Sequence, residues 1–300
     1  MTGATGLVGQ AITDRLSSLP GVDVLATGRR AVPAGQTSGG YVPLDILDGA
    51  AVERAFEDFT PRVVVHAAGT SQVDACEADR EACWRLNVDA TSALAAACHR
   101  HGARLVLLST DFVFGGDDGP YAETDRPEPT GTYGRTKLAA ENALRSSRLT
   151  DWAIVRTTLV VGVPAEPVRG DLVRWVVREL TAGRPIRVAS DQWRTPTYDL
   201  DLAEGVARIV QFRKSGVFHV AGREWVTPLD VARRVATAFD LDGDLITPAT
   251  TAELHPGAPR PLRGGLLILR AESELGYRPT PLDAALADLR TRLAAASLAT

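Results

Sequence analysis

Short apolar runs alternate with helix-like segments over the first 160 residues, and this alternation constrains the fold more than any other feature. Apolar runs of this kind are typical of buried parallel strands, and the segments between them are long enough to be crossover helices. The order of elements therefore predicts an α/β protein with a doubly wound parallel sheet, the Rossmann arrangement. The runs that carry this prediction are residues 23–27, 62–66, 106–114 and 152–162.

Glycines at positions 3, 6 and 9 stand immediately before the first helix-like segment. This spacing lets a backbone turn tightly and approach a pyrophosphate, which the positive N-terminus of the following helix attracts. Such a turn normally follows a buried strand, but only Met1 and Thr2 precede Gly3 here. We expect a start assigned too late or residues missing upstream, with a fold that tolerates a short stub as the alternative.

The run that ends at Thr27 is followed by Gly28, Arg29 and Arg30. Dinucleotide sites place an acid here for the 2′-hydroxyl of NAD, or a basic residue for the 2′-phosphate of NADP. Two arginines favour NADP(H), and NAD(H) stays the alternative. Asp45 ends the next short strand, where it can meet the edge of the adenine.

Three hundred residues with 45% apolar content suffice for two lobes around substantial cores. Because the alternation becomes irregular after residue 160, we expect a dinucleotide-binding domain of residues 1–160 and about 198–224. Residues from about 161 to 197 and from 225 to 300 then form a smaller interleaved α/β substrate lobe. Such a lobe lies beside the carboxyl ends of the strands, where these folds bind ligands.

Net charge and composition exclude several classes of function. A net charge of −4 makes nucleic acid an unsuitable partner. The chain shows neither a membrane-spanning apolar run nor a signal-peptide pattern, so we expect a cytoplasmic protein with no membrane partner. Scattered histidines predict no metal site. We expect Cys76, Cys83 and Cys98 to be reduced residues of helices and not a disulfide framework.

Chemistry is indicated most clearly between residues 106 and 141. An apolar run ends there in Ser109, Thr110 and Asp111, and a later helix-like segment carries Tyr133 and Lys137 on one face, four residues apart. Lys137 is one of only two lysines in the chain, so its place after a tyrosine favours a functional interpretation. An ammonium near a phenol lowers the pKa of the phenol, which suits acid chemistry on a carbonyl or an alcohol.

Two polar residues lie within apolar segments. His66 stands in an apolar run, where a buried structural histidine is expected rather than a catalytic one. Asn87 stands in the middle of a helix-like segment, and we expect it to hydrogen-bond a local group, since asparagine disfavours helix interiors.

Taken together and in this order, these motifs resemble the extended short-chain dehydrogenase/reductases, and among them the dTDP-4-dehydrorhamnose reductase type. The resemblance covers nearly the whole chain and includes Val73-Asp74, Leu86-Asn87, Asp191-Gln192 and the segment 218–222. It implies that Tyr133 donates a proton to the C4 carbonyl of a sugar, assisted by Thr110 and Lys137. Lys137 would also bind the nicotinamide ribose. The cofactor-binding residues that it implies are Gly3, Thr5, Gly6, Leu7, Val8, Arg29, Arg30, Asp45, Ile46, Ala67, Ala68, Gly69, Tyr133 and Lys137.

The substrate side departs from the family pattern. The family usually has Trp and Tyr in the strand after the catalytic helix, where this chain has Leu159 and Val161. Losing both aromatic rings removes a stacking surface, so the sugar need not be that of rhamnose synthesis. The expected substrate contacts are Ser109, Thr110, Gln192, Arg194 and Thr197.

Three functions follow from this resemblance. We expect an NADP-dependent reductase of a nucleotide-linked 4-keto-6-deoxy sugar, whose partners are small molecules and which is compatible with a homodimer. An NAD-dependent sugar-nucleotide epimerase or dehydratase is the first alternative. A non-catalytic, NADP-binding regulatory subunit like that of methionine adenosyltransferase is the second.

Overall fold

A computed structural model describes residues 1–30, 40–163 and 172–298 of the chain. The helices within these ranges are α1 (Leu7–Ser17), α2 (Gly49–Phe59), α3 (Val73–Ala78), α4 (Arg80–Trp84), α5 (Ala90–His101), α6 (Thr132–Ser146), α7 (Leu172–Thr181), α8 (Asp199–Gln211), α9 (Pro228–Ala238), α10 (Thr251–Leu254), α11 (Leu269–Leu275) and α12 (Leu282–Leu298). The strands are β1 (Ala26–Gly28), β2 (Tyr41–Pro43), β3 (Val63–His66), β4 (Arg104–Thr110), β5 (Trp152–Thr157), β6 (Val160–Val161), β7 (Ile186–Ala189), β8 (Thr197–Tyr198), β9 (Gly216–His219) and β10 (Ile246–Ala249).

Parallel strands form the centre of the molecule. β3, β4, β5 and β9 lie side by side in that order, and β1 pairs with β2 in the same sheet. Every residue of β4 is buried, because helices cover both faces of the sheet at this position. The predicted doubly wound α/β fold is therefore confirmed.

Thr2 joins the two halves of this sheet. It forms parallel bridges to Thr27 on one side and to His66 on the other. Its backbone N–H donates to Val65 at 3.0 Å, and Thr27 donates to the carbonyl of Met1 at 2.8 Å. Met1 and Thr2 thus occupy the central position that the glycine pattern assigns to a strand. A cavity of about 560 Å³ lies beside them, at the amino ends of β1 and β3.

A second group of elements packs around its own apolar cluster. Here β7 pairs with β10 and β6 with β8, and α7, α9 and α12 cover them. The cluster includes Val176, Val235 and Leu286, which are buried. In contrast, α11 packs with α8 and β9 against the cluster of the main sheet. None of the helices within the described ranges is long and apolar enough to cross a bilayer.

The expectation of reduced cysteines is wrong for two of the three. Cys76 in α3 and Cys83 in α4 form a disulfide, with Cα atoms 5.2 Å apart. Asp79 has a non-helical backbone between the two short helices, so the chain turns there and brings residues seven apart into contact. A continuous helix would have placed them nearly two turns apart along its axis. Cys98 is a free, buried cysteine, as expected.

Candidate active site

A turn lined by glycine precedes α1 and lies against the loop after β3. Gly3 has a φ of 72°, and a Cβ at this position would lie 2.6 Å from the backbone nitrogen of Ala68. A Cβ on Gly9 would overlap the backbone of Gly3 in the same way. Because Gly6 is the N-cap of α1, no side chain covers the first N–H groups of that helix. The turn therefore fits the pyrophosphate of a dinucleotide.

The loop after β3 completes this cradle. Ala67 and Ala68 donate backbone hydrogen bonds to the carbonyl and the hydroxyl of Thr2, at 3.2 and 3.4 Å. His66 is 1% exposed, and its Nδ1 lies 2.8 Å from the hydroxyl of Thr2. Burial lowers the pKa of His66 to about 3, so the ring is neutral. His66 is thus the buried structural histidine that the sequence predicted.

Asn87 ties the loop after β3 to α6. It lies in a π-helical turn (Arg85–Asp89) and is buried. Its Oδ1 accepts from the N–H of Thr70 at 3.0 Å, and its Nδ2 donates to the hydroxyl of Thr136 at 3.0 Å. The expected local hydrogen bonds of Asn87 are confirmed. Gly69 is needed beside it, since a Cβ there would lie 2.8 Å from the Oδ1 of Asn87.

The two arginines predicted to select the cofactor lie at the carboxyl end of β1. Arg29 and Arg30 are exposed, and Arg29 lines a cavity that also reaches Gly69. At the end of β2, Asp45 is exposed and Ile46 is buried. The structure therefore brings these residues to the edge of the sheet that carries the glycine turn. Within this turn, Thr5 approaches Gly28 closely, and Leu7 and Val8 begin α1.

Thr110 and Tyr133 meet at the carboxyl end of β4. Tyr133 lies in the first turn of α6, close enough to Thr110 that this hydroxyl partly opposes the rise that burial causes in the pKa of Tyr133. Gly134 permits this approach, because a Cβ there would overlap the backbone of Phe112. The rings of Phe112 and Tyr133 are 5.4 Å apart, edge to face.

Burial moves the proton affinities of the two candidate catalytic groups in opposite directions. It raises the pKa of Tyr133 to about 12, since a phenolate would lose its hydration. It lowers the pKa of Lys137 to about 8, although the carboxylate of Glu141 opposes this change. The ammonium of Lys137 donates to the carbonyl of Leu108 at 2.6 Å. The expectation that Lys137 lowers the pKa of Tyr133 is thus not met: burial dominates, and Lys137 is held by the strand.

Ser109 lies on the other face of β4 from Thr110, since neighbouring residues of a strand point to opposite faces. Its hydroxyl donates to Glu141 at 2.6 Å, and Arg156 donates two bonds to the same carboxylate at 2.9 and 2.7 Å. Burial alone would raise the pKa of Glu141, but Arg156, Ser109 and Arg145 together hold it below its usual value. Ser109 therefore joins β4 to α6, and its contact with substrate stays a prediction.

The remaining predicted substrate contacts are also engaged by the protein. Arg194 is buried and donates to the carbonyl of Pro261 at 2.7 Å, with its Nε 3.4 Å from Asp111. Thr197 is fully buried and donates to the carbonyl of Thr158 at 2.7 Å. Gln192 is buried, and its side-chain oxygen accepts from Arg194 at 3.5 Å. The polar groups of Arg194 and Thr197 hold neighbouring loops, and the substrate contacts of all three residues stay predictions.

Sequence reasoning missed Glu141 and Arg156. A signal existed, because Glu141 follows Lys137 by four residues and so shares the buried face of α6. Its partner Arg156 could not be identified from the sequence, because an arginine in an apolar strand looks like a surface residue.

The described residues contain no group of three or more histidine, cysteine or acidic side chains arranged to bind a metal.

Comparisons with known proteins agree with this geometry. The chain is 35% identical over 268 residues to the dTDP-4-dehydrorhamnose reductase of Mycobacterium tuberculosis (strain CDC 1551 / Oshkosh), which covers 87% of this chain and 81% of that protein. It is 31% identical over 278 residues to methionine adenosyltransferase 2 subunit beta of Mus musculus, which covers 91% of this chain and 81% of that protein.

Solved structures give the same result. A dTDP-4-dehydrorhamnose reductase from Clostridium acetobutylicum has a TM-score of 0.85 and 28% identity, with 98% of both chains covered. One from Bacillus anthracis, in complex with NADP, shares the fold with a TM-score of 0.82, at 24% identity over 97% of both chains. The family described as RmlD substrate binding domain matches residues 1–295. The chain therefore belongs to the RmlD substrate binding domain family, as its resemblance to the dTDP-4-dehydrorhamnose reductases predicted.

Proposed function

We propose that this protein is an NADP(H)-dependent reductase that acts on the C4 carbonyl of a nucleotide-linked 4-keto-6-deoxy sugar. The approach of Thr110 to Tyr133 carries the proposal, because a hydroxyl beside a protonated phenol, at the sheet edge that bears the glycine turn, suits proton donation to a carbonyl oxygen. The similarity to proteins named as reductases of such sugars supports the reaction class.

The residues around the glycine turn would hold the cofactor. The N–H groups at the start of α1 suit the pyrophosphate, and Arg29 and Arg30 suit the 2′-phosphate of NADP. Asp45 and Ile46 would border the adenine, Ala67 to Gly69 would pass beside the dinucleotide, and Lys137 would bind the nicotinamide ribose. When bound, NADPH supplies a hydride to the carbonyl carbon.

Tyr133 supplies the proton in this proposal. Because its pKa is about 12, the phenol keeps its proton at neutral pH and can donate it to the carbonyl oxygen as charge develops there. The hydroxyl of Thr110 would hydrogen-bond the same oxygen.

The substrate side supports a class of sugar rather than one compound. Leu159 stands where the resemblance expects a tryptophan, and it has a φ of 36°, in the left-handed region that branched side chains rarely adopt. Strained backbone of this kind is concentrated at ligand sites. We further propose the division expected from the sequence, with a substrate lobe formed by the elements around β7 and β10.

Replacement of Tyr133 tests the reductase proposal. Tyr133→Phe removes only the hydroxyl, so NADPH oxidation with a 4-keto-6-deoxy sugar nucleotide should fall by at least ~100-fold while NADPH still binds. Tyr277→Phe is the matched control: its hydroxyl donates to Ala221 at 3.1 Å in the core, and its loss should leave turnover unchanged. Full activity of the Tyr133 variant would refute the assignment.

A non-catalytic regulatory subunit is the second candidate, because the chain is similar to methionine adenosyltransferase 2 subunit beta. This candidate requires that no keto sugar is turned over and that the protein captures a methionine adenosyltransferase. An NAD-dependent epimerase or dehydratase is opposed by Arg29 and Arg30, and it requires a preference for NAD(H) over NADP(H). Gel filtration at several concentrations tests the proposed homodimer.

A further inference from the structure

A disulfide lies directly beneath the proposed proton donor. Cys76 and Cys83 form one small apolar cluster with Tyr133, which Val73 and Phe112 border. The sulfur of Cys83 lies 3.5 Å from the hydroxyl of Thr136, one residue before Lys137. The bond between the two cysteines therefore forms part of the surface on which the first turn of α6 rests.

The sulfur of Cys83 also contacts Asn87, which joins the loop after β3 to α6. The Nδ2 of Asn87 lies 3.6 Å from the sulfur of Cys83 and also donates to Thr70 and Thr136. A change at Cys83 should therefore affect both α6 and the loop after β3, because Asn87 contacts all three. The remaining cysteine, Cys98, is buried in a different cluster, between α5 and the sheet.

The disulfide also holds α3, which is a short helix of six residues. From α3, Glu77 accepts from the backbone N–H of Thr132 at 2.6 Å and from its hydroxyl at 2.8 Å. Thr132 is the first residue of α6 and precedes Tyr133. Because an isolated six-residue helix has little stability of its own, the covalent link to α4 keeps Glu77 in place.

A cavity on the side of the proposed cofactor site reaches both cysteines. Each cysteine is at most 2% exposed, but both line a cavity of about 380 Å³. Arg29, Gly69 and Thr70 form other walls of this cavity. A small thiol that enters here would reach the disulfide beside residues proposed to bind NADP.

We propose that Cys76 and Cys83 form a redox-active site that exchanges with low-molecular-weight thiols and thereby controls cofactor binding and the position of Tyr133. A thiolate from outside forms a bond to one cysteine sulfur, and the Cys76–Cys83 bond breaks to release the other as a thiol after it takes a proton. A second small thiolate then attacks the sulfur of the first and displaces the cysteine, which takes a proton; this leaves two protein thiols and one small disulfide. Two electrons pass from the small thiols to the protein.

The oxidised protein is the more active form in this proposal. Reduction frees α3 from α4, so Glu77 and the wall of the cavity lose their fixed positions. The turnover part of this inference rests on the proposed reductase function, whereas the binding part does not. Switches of this type act by biasing a local packing arrangement through a thiol–disulfide change.

The test compares protein incubated with excess dithiothreitol and protein incubated with oxidised glutathione. Alkylation and mass spectrometry should find three free thiols in the first sample and only Cys98 in the second. The dissociation constant of NADPH should be about fivefold or more higher for the reduced protein, a coupling of ordinary size, and re-oxidation should restore it. kcat/KM with a keto-sugar nucleotide should fall in parallel.

Variants separate the pair from general effects of reductant. Cys76→Ser with Cys83→Ser should behave like reduced protein and ignore dithiothreitol, whereas Cys98→Ala should respond as the unchanged protein does. The inference is overturned if protein with three thiols binds NADPH as tightly as oxidised protein, or if the oxidised sample also shows three thiols. A shift in NADPH affinity without turnover in either state would retain the redox site and refute the reductase proposal.

Discussion

A phenol and an ammonium lie one helical turn apart in α6, where Tyr133 is buried and Lys137 is half-buried. Burial places the pKa of Tyr133 near 12 and that of Lys137 near 8. At neutral pH the phenol therefore keeps its proton and the lysine keeps its charge. Tyr133 is therefore suited to donate a proton. As pH rises, Lys137 loses its charge before Tyr133 loses its proton.

The reduction should consequently lose activity on the alkaline side. As pH rises through about 8, Lys137 gives up its proton and its charge, so kcat/KM for the keto sugar should decrease. Tyr133 contributes nothing to this decrease, because its phenol stays protonated to about pH 12. A pH profile of kcat/KM at saturating NADPH measures the effect.

Lys137→Arg provides the matched control for this profile, because a guanidinium remains charged throughout the range. The variant should be slower, since the hydrogen bond to Leu108 is altered, but its profile should lack the decrease near pH 8. An identical alkaline limb in both proteins would assign the titration to another group.

In the proposed function, the choice of cofactor also depends on single residues. Arg29 is exposed at the end of β1, where its guanidinium suits the 2′-phosphate. Arg29→Ala should weaken NADPH by roughly tenfold or more and leave NADH nearly unchanged, since a charge-assisted hydrogen bond contributes about 1.5–3 kcal/mol. Fluorescence titration with both cofactors measures this ratio. Arg54→Ala, an exposed arginine on α2, should change neither affinity.

At the scale of elements, the joint between β4 and α6 sets the geometry of the site. The apolar run and the Tyr-x-x-x-Lys spacing predicted both elements and their facing residues. They did not predict the buried carboxylate of Glu141 or its partners, because a sequence shows which residues share a helix face but not which strand side chain meets it. The disulfide was missed because three cysteines in helix-like segments show no framework pattern, and the turn at Asp79 that brings Cys76 to Cys83 is a three-dimensional feature.

Removal of the Glu141 carboxylate should destabilise this joint strongly. Glu141→Ala leaves the guanidinium of Arg156, which is 1% exposed, buried without its charge partner, and such a loss costs roughly 3–5 kcal/mol. Arg145 pairs with the same carboxylate, but the side chain of Arg145 is 31% exposed. Arg145→Ala should therefore cost at most about 1 kcal/mol. Urea unfolding of the two variants measures the difference, and equal losses would contradict the role of Arg156.

At the scale of the molecule, local periodicity predicted the central parallel sheet, because each parallel strand carries its own apolar signal. Contacts between distant segments were not predictable in this way. Arg194 was predicted to contact substrate or to be one more exposed arginine, and nothing in the sequence indicated its bond to Pro261, 67 residues away. α11 lies in a segment assigned to the substrate lobe but packs with the main sheet. Such pairings depend on how loops meet after the sheet has formed.

An ion pair links α3, which lies beside the proposed active site, to the segment just before Arg263. This segment lies near the second group of elements. Arg260, whose side chain is 9% exposed, donates to Asp74 at 2.7 Å, and Asp74 is 64% exposed. Asp74→Asn should raise the KM for the keto-sugar nucleotide severalfold, because the two segments lose the charge that holds them together. The free energy of unfolding should change by less than about 1 kcal/mol, as for other exposed pairs. Glu253→Gln, in a pair with Arg187 within the second group, should leave KM unchanged, and an unchanged KM in the Asp74 variant would show that this link does not shape the substrate site.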